Sequence, residues 1–443
     1  MFLFASILCF SQDSSFQLKD YKYRTPGFRA LSVNLSLSGS SNNSKSTSSG
    51  ENSNKNLSWS TTNLYYTNTV STDKRLHESS IYLQPWGDVS KQTIGNQEKK
   101  NNTFSNSFKW QRNDRLYKNS LWFFEYGNNL ELTLNNNSFK EQGTHTIQNI
   151  EGVKNTIAFG VGKGRIERVQ DAQMAMYILN DLKTQGLLDV AVTPELTNSF
   201  AQLITSLNNR RVFDTRRRRI YEFTKIDSFL RASGAVNNTD IRHFTTVNDN
   251  WAYAFNPYRL AGFAWFVRLK PGIEYSKTLS QTSFVPLTKF STQRFSAFIT
   301  PQVGVEKYVP INLKWQQNMG ASVSLQVGTG QYKNKNISST GTSITKGKGN
   351  GWQTGLNAFY GVAFFPNTRT QIGANAEADA LYYDNKTSTL SSSLRVFMNY
   401  FIGYRTYFIA NTNLSYNNLH YPLVSNSNRF DVNINLTFQH ILF

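Results

Sequence analysis

Five histidines (His77, His145, His243, His420 and His440) and a single cysteine, Cys9, are the side chains of this 443-residue chain best suited to nucleophilic, acid–base or metal chemistry. None of the histidines stands in a nucleophile motif, and no His/Cys/Asp/Glu spacing forms a metal-ligand set. The sequence therefore predicts no catalytic residue, no metal and no cofactor. Gly160-Val161-Gly162-Lys163-Gly164 has the look of a phosphate loop but lacks its spacing, and no dinucleotide GxGxxG completes. It reads as a strand-end hinge. The chain carries 47 basic against 28 acidic residues, a formal charge of +19. No nucleic-acid motif accompanies that charge, so nucleic acid is not expected as a partner. Anionic lipid, polysaccharide or solutes suit it better. Its densest part is Arg210-Arg211 with Arg216-Arg217-Arg218-Arg219, a candidate docking surface for an acidic partner or for lipid phosphates.

The elements that must position these charges are strands. Arg429-Phe430-Asp431-Val432-Asn433-Ile434-Asn435-Leu436-Thr437-Phe438 alternates polar and apolar without a break. Successive strand residues point to opposite faces, so one face lies in an apolar medium and the other against water or polar partners. From Asn312 the odd positions read Leu313, Trp315, Gln317, Met319, Ala321, Val323, Leu325 and Val327, and the even ones are polar or small. From Thr370 the even side gives Ile372, Ala374, Ala376, Ala378, Ala380 and Tyr382. Ala261, Phe263, Trp265, Val267 and Leu269 stand opposite Arg268 and Lys270. Soluble strands average about five to six residues, and these patterns run longer. They predict a mainly β protein, a transmembrane antiparallel β-barrel of about 14 strands with a small inserted helical subdomain.

No stretch approaches the roughly 20 apolar residues of a membrane-spanning helix. Mean hydropathy is -0.46 and aromatics make up 14% of the chain, as expected of a barrel whose apolar residues alternate with water-facing ones. Residues 1–11 read as a signal peptide with an apolar core at Phe2–Phe10. Residues 12–165 are assigned about six strands, 166–240 a helical insertion, and 241–443 about eight strands. Polar segments at 39–56, 90–103, 278–288 and 331–350 read as long outer loops. Short turns are placed at 72–74, 112–114, 306–307 and 366–368. In the insertion, Val169, Ala172, Met176, Leu179 and Leu182 recur at helical spacing, with Gly186 as a stop. Thr193-Pro194-Glu195 opens a second helix lined by Leu196, Phe200, Leu203, Ile204 and Leu207. A third runs from Thr215 to Ser233, with Ile220, Phe223, Ile226 and Leu230 on one face and Gly234 at its end. Even strand parity puts the three helices on the periplasmic side, or in the lumen as a plug.

Inward, water-facing charges then include Arg268, Lys270, Glu274, Glu306, Lys314, Arg369, Glu377, Asp379, Arg395 and Arg405, the candidate lumen-lining residues. Their mixed sign argues against a strongly ion-selective filter. The segment Gly162–Ala172, with the helices after it and strands on both sides, resembles uncharacterised outer-membrane β-barrel proteins of Bacteroidetes-type bacteria. The resemblance implies fold and an outer-membrane location, and carries over no catalytic residue. Ile434, Leu436 and Phe438 lie on the even side while Ile441 and Phe443 lie on the odd side, so a bulge near Gln439-His440 is expected. Taken together, the expectation is a non-enzymatic porin-like channel for small solutes in a bacterial outer membrane, in contact with lipid and lipopolysaccharide. The alternative is an accessory subunit of an outer-membrane assembly or export complex, docking on a periplasmic or membrane protein through the basic helices.

Overall fold

The computed structural model describes residues 16–440 apart from 47–49, 95–96, 119–120, 142, 211–214, 253–258, 284–287, 340, 404–405 and 421–425. The expected leader with Cys9, Arg211, Arg405 and the terminal Ile441–Phe443 lie outside the described residues. Six strands come first: β1 (Thr25–Ser46), β2 (Gly50–Ser71), β3 (Arg75–Ile94), β4 (Gln97–Lys118), β5 (Trp122–Glu141) and β6 (Thr144–Arg168). Helices α1 (Gln170–Thr184), α2 (Pro194–Asn208), α3 (Thr215–Ala232) and α4 (Ile241–Trp251) follow. Eight strands complete the chain: β7 (Leu260–Ser283), β8 (Thr288–Pro310), β9 (Trp315–Ser338), β10 (Gly341–Asn367), β11 (Thr370–Tyr383), β12 (Ser388–Gly403), β13 (Thr406–His420) and β14 (Asn426–His440). They form one 14-stranded antiparallel sheet whose spatial order is the chain order. Among the described residues no register joins β1 to β14.

The alternation sorts cleanly onto two faces. Val323 is paired with Val303 and Leu356, and its 51% exposure puts it on the convex side. Leu436, 67% exposed, shares that side with Phe430, Val432, Ile434 and Phe438. The other face is concave, because side chains on it reach across intervening strands. Arg168 on β6 meets Glu78 on β3 at 2.6 Å, and Arg268 on β7 meets Glu125 on β5 at 3.1 Å. Rings lie over concave-face glycines: Phe266 over Gly304, Phe359 over Gly320 and Phe397 over Gly373. A Cβ at any of the three would run into the ring, so these pairs keep the wall smooth.

Four expectations are corrected here. Residues 39–56, 90–103, 278–288 and 331–350 are not long loops; their described parts continue the strands, so that β6 reaches 25 residues and β10 reaches 27. These Ser-, Asn-, Lys- and Gly-rich stretches are mostly polar on both faces yet paired where they are described, as in Gln331–Ser338 against Gly341–Lys348. Arg112–Asp114 and Glu306–Lys307 lie inside β4 and β8, which run on to Lys118 and Pro310. The turns at 72–74 and around 368 stand where expected. A fourth helix, α4, occupies sequence assigned to the second strand set. Finally, β13 and β14 stay in register from Asn426 to His440, with no bulge at Gln439-His440.

The helices build their own core. Val169, Ala172, Ala175, Ile178, Leu179 and Leu182 bury against Phe200, Ile204, Ile226, Leu230 and Val247. Thr193 caps α2, its hydroxyl accepting from the Leu196 amide at 3.2 Å, with Pro194 in the first helical position. Gly186 and Gly234 end α1 and α3 at φ 67 and 68, which favours glycine. Tyr21, fully buried, joins that core from the segment before β1, beside Leu18 and Tyr23.

Candidate functional site

The concave face of β2–β7 near the short-turn end carries a dense ionic network around a cavity of about 490 Å³. Glu125 is 3% exposed and accepts from two guanidiniums, Arg115 Nε at 2.9 Å and Arg268 Nη2 at 3.1 Å. Arg268 can cross β6 because Gly160 lies beneath it; a Cβ there would come within 2.9 Å of Arg268 Cγ. Lower down, Gly164 stands opposite Ala264 and Gly262 opposite Ile166, with φ 107 and 128, values that favour glycine. A Cβ on Gly164 would lie 2.0 Å from the Phe263 carbonyl oxygen, so the two backbones approach as only glycines allow. Beyond this point the alternation of β6 switches, and Arg165 and Glu167 turn to the concave side. Arg165 donates to the Asp73 carbonyl at 3.1 Å and to Ser71 Oγ at 3.2 Å, and stacks 4.6 Å from the Tyr117 ring. Glu167 accepts from Arg24 at 2.8 Å. The stretch Gly160–Gly164, expected as a strand-end hinge, lies inside β6, and Arg165 and Glu167 just after it tie β6 to Ser71 and to Arg24.

Above this ionic floor the cavity is lined by Thr67, Gln111, Asn113, Asn129, Thr156 and Lys270. Asn113 Oδ1 and Asn129 Oδ1 are buried without a hydrogen-bond partner among the described residues. Lys270 makes no ion pair among the described residues, whereas Arg115, Arg168 and Arg268 around it are all paired. A wall so arranged offers hydrogen bonds and one uncommitted positive charge to a polar solute.

The helices close over the same end. Arg259, 1% exposed, donates to the carbonyls of Leu313 at 2.6 Å, Asn312 at 3.0 Å and Trp315 at 3.0 Å, and to Gln316 Oε1 at 3.1 Å. Burial pushes its pKa down to about 10. Tyr177 donates to the Phe365 carbonyl, and Thr368 donates to Asn250 Oδ1 at 3.1 Å. Leu18–Asp20 lies against β7 and β8, and the chain then runs to β1 at the far edge of the network.

Of the sequence candidates, Arg268, Lys270, Glu274, Glu306, Glu377, Asp379 and Arg395 sit on the concave face. Glu274 meets Lys154 at 3.8 Å, Asp379 accepts from Asn357 at 2.7 Å, and Arg395 donates to Asn411 at 2.9 Å. Lys314 and Arg369 stand in short turns and not on the wall, and Arg369 pairs with Asp249 of α4. Arg210 packs 4.0 Å over the Tyr221 ring, and Arg218 pairs with Glu222 at 2.6 Å. Glu222 also accepts from Trp251 Nε1 at 2.7 Å, so part of the basic cluster ties α3 to α4. Arg216 and Arg217 open α3. Arg219 borders an apolar groove of about 750 Å³ with Ile220, Phe223 and Phe244. The network residues Arg115, Glu125, Arg165, Glu167 and Arg168 were missed by the sequence reading. Their signal is the clustering of charges at adjoining strand ends, which becomes visible only once register is known.

No family model matches the chain, and no curated protein matches it. Among solved structures it is similar to the ferric yersiniabactin uptake receptor FyuA from Yersinia pestis, at 6% identity and a TM-score of 0.37, covering 90% of this chain. The chain spans 62% of the length of that receptor. The TodX monoaromatic hydrocarbon channel, as its deltaS2 mutant, gives 10% identity and a TM-score of 0.32 over 94% of this chain and 90% of that one. The CymD monoaromatic hydrocarbon channel gives 9% identity and a TM-score of 0.22 over 96% of this chain and 90% of that one. Likeness at this level assigns neither a ligand nor a family.

Proposed function

We propose that this protein is a non-enzymatic β-barrel of a bacterial outer membrane, with β1 and β14 meeting to close the sheet, and that its lumen passes small polar solutes. The observation that carries this reading is the convex face. Large apolar side chains stand exposed at alternating positions from β1 to β14, among them Leu31, Phe124, Val267, Val303, Val323, Leu356, Leu394 and Leu436. Soluble monomers rarely expose contiguous apolar patches larger than a few hundred Å², whereas a lipid-facing band requires one. Even parity and 14 sequential strands put both ends on the side of the short turns, which in such barrels is the periplasm. The helical unit on that side then acts as a floor to the lumen. The resemblance of the Gly162–Ala172 joint fits a home in a Bacteroidetes-type outer membrane, among phospholipid and lipopolysaccharide.

The mature chain is expected to fractionate with the outer membrane and to run faster on gels before boiling than after it, since a closed barrel resists detergent until heated. Recovery from the soluble periplasm overturns the reading. A second reading rests on the groove of Ile220, Phe223 and Phe244 beside Arg219: docking of a periplasmic or membrane partner through the basic helices. Replacing Arg216, Arg217 and Arg219 by Gln is then expected to lose the partner from pull-downs without unfolding the barrel, and added salt to mimic the loss. Unchanged recovery removes that reading.

A further inference from the structure

One cluster of charges lies on the wrong side of the wall. Arg75 and His77 on β3 and Arg112 and Asp114 on β4 are cross-strand neighbours by register, Arg75 beside Leu116 and His77 beside Asp114. Leu116 is 50% exposed and adjoins Phe124 on β5, so all four polar residues belong to the convex, apolar face. Asp114, 5% exposed, gathers Arg75 Nη2 at 2.6 Å, Arg112 Nε at 2.6 Å and His77 Nδ1 at 2.9 Å. Asn68 on β2 meets His77 Nε2 at 3.3 Å, and Arg29 on β1 stands in register with Asn68 on the same face. Arg75 opens β3 directly after the 72–74 turn, which puts the cluster at the short-turn rim.

Two guanidiniums against one carboxylate leave a positive excess. The carboxylate is already saturated by its three partners. Arg112 uses only Nε on it, and Arg75 only Nε and Nη2, so Nη groups of both arginines make no further hydrogen bond among the described residues. Both side chains remain well exposed, at 43% and 38%. At the rim of a lipid-facing surface such charges stand at headgroup depth, within reach of lipid phosphates. Paired guanidinium edges held by a buried carboxylate match the oxygens of a phosphate, and Ile81, Trp110 and Leu130, in mutual register on the same face and farther from the short turn, match acyl chains.

We propose that Arg75 and Arg112, oriented by Asp114, bind the phosphate of an anionic phospholipid in the leaflet at the short-turn end. The proposal rests on the membrane reading above. Its test uses the full-length protein in dodecyl maltoside micelles, titrated with phosphatidylglycerol, with inorganic phosphate as a competitor. Wild type is expected to bind the lipid at least tenfold more tightly than Arg75→Gln/Arg112→Gln, and inorganic phosphate is expected to leave binding unchanged. Equal binding by wild type and the double variant overturns the site. Displacement by inorganic phosphate also overturns it, because the cluster would then be an ion site without a lipid. If the double variant loses its heat-modifiable migration, Arg75→Gln alone is used. It leaves Arg112 on Asp114 and is expected to weaken binding at least threefold; equality overturns the proposal. Failure of the membrane reading is distinguished by fractionation, since a soluble wild-type protein sinks both ideas, and a membrane-bound one with equal lipid binding sinks only this.

Discussion

Asp171 and Glu125 are both nearly inaccessible carboxyl groups, and they are held in opposite ways. Glu125 lies between two guanidiniums, which compensate its burial as a charge. Asp171, 2% exposed at the start of α1, has only neutral donors in contact, the Thr205 hydroxyl and Asn208 Nδ2. Desolvation dominates there and raises its pKa above the ordinary carboxylate value. The folded helices therefore bind this proton more tightly than the unfolded chain does. The contribution of Asp171 to their stability is greatest in acid and falls as pH rises from the ordinary carboxylate range through the folded-state value. Asp171→Asn is expected to flatten that slope, measured as amide exchange of α1 and α2 across the acidic range. An unchanged slope would remove Asp171 as its source.

At the scale of elements, the two faces of β9 make opposite demands. Val323 points outward among Val303 and Leu356, whereas Ser324 points to the concave side opposite Gly355. Val323→Arg is expected to cost roughly 2–4 kcal/mol at the bilayer midplane. Ser324→Arg is expected to be much milder, because its charge enters a polar interior. Urea unfolding in lipid vesicles compares the two, and equal losses would mean that β9 has no lipid face. Helix α4 shows how an element escapes a hydrophobic scan. Its buried positions are His243, Thr246, Val247, Asn250 and Trp251, a helical spacing written mostly in polar letters. Their burial is supported by hydrogen bonds, such as Asn250 Nδ2 to Asp181 at 2.7 Å and Thr246 to Gln185 at 2.9 Å. Apolar periodicity detects α1 and α2 and is blind to α4.

Across the whole molecule, Arg259 couples the helical unit to the sheet. It precedes β7, follows α4, and binds the 311–316 turn through four acceptors. Arg259→Leu strips the Leu313 and Asn312 carbonyls of their donor, at roughly 1–3 kcal/mol for each buried acceptor left bare, while the Trp315 carbonyl keeps the Ile311 amide at 3.0 Å. The helical floor should loosen while the strands keep their register. In planar bilayers the variant is expected to show larger or more frequent open events than wild type, with heat-modifiable migration retained. Identical conductance would mean that the helices do not restrict the path. The strands also differ in height, 20 to 27 residues through β1–β10 and 14 to 16 through β11–β14. The wall is thus raised on one side by the polar hairpins.

Alternation, with turn and helix signals, determined that the chain is mainly β, that about six strands precede a helical insertion and about eight follow it, and which face of β7, β9, β11 and β14 is apolar. A period of two is a local property, legible wherever one face meets an apolar medium. It fails in stretches such as 331–350, where both faces of a paired hairpin are mostly polar, so those strands read as loops. Glu125 and Arg268, like Glu78 and Arg168, are far apart in sequence, and only the register and curl of the sheet bring them together. The same holds for Arg75 and Asp114. Parity along a strand says that a residue faces one side, but which charge finds which partner across strands is a long-range fact, fixed by hydrogen-bonded register and by the glycines at 160, 164 and 262 that let the backbones and side chains pass.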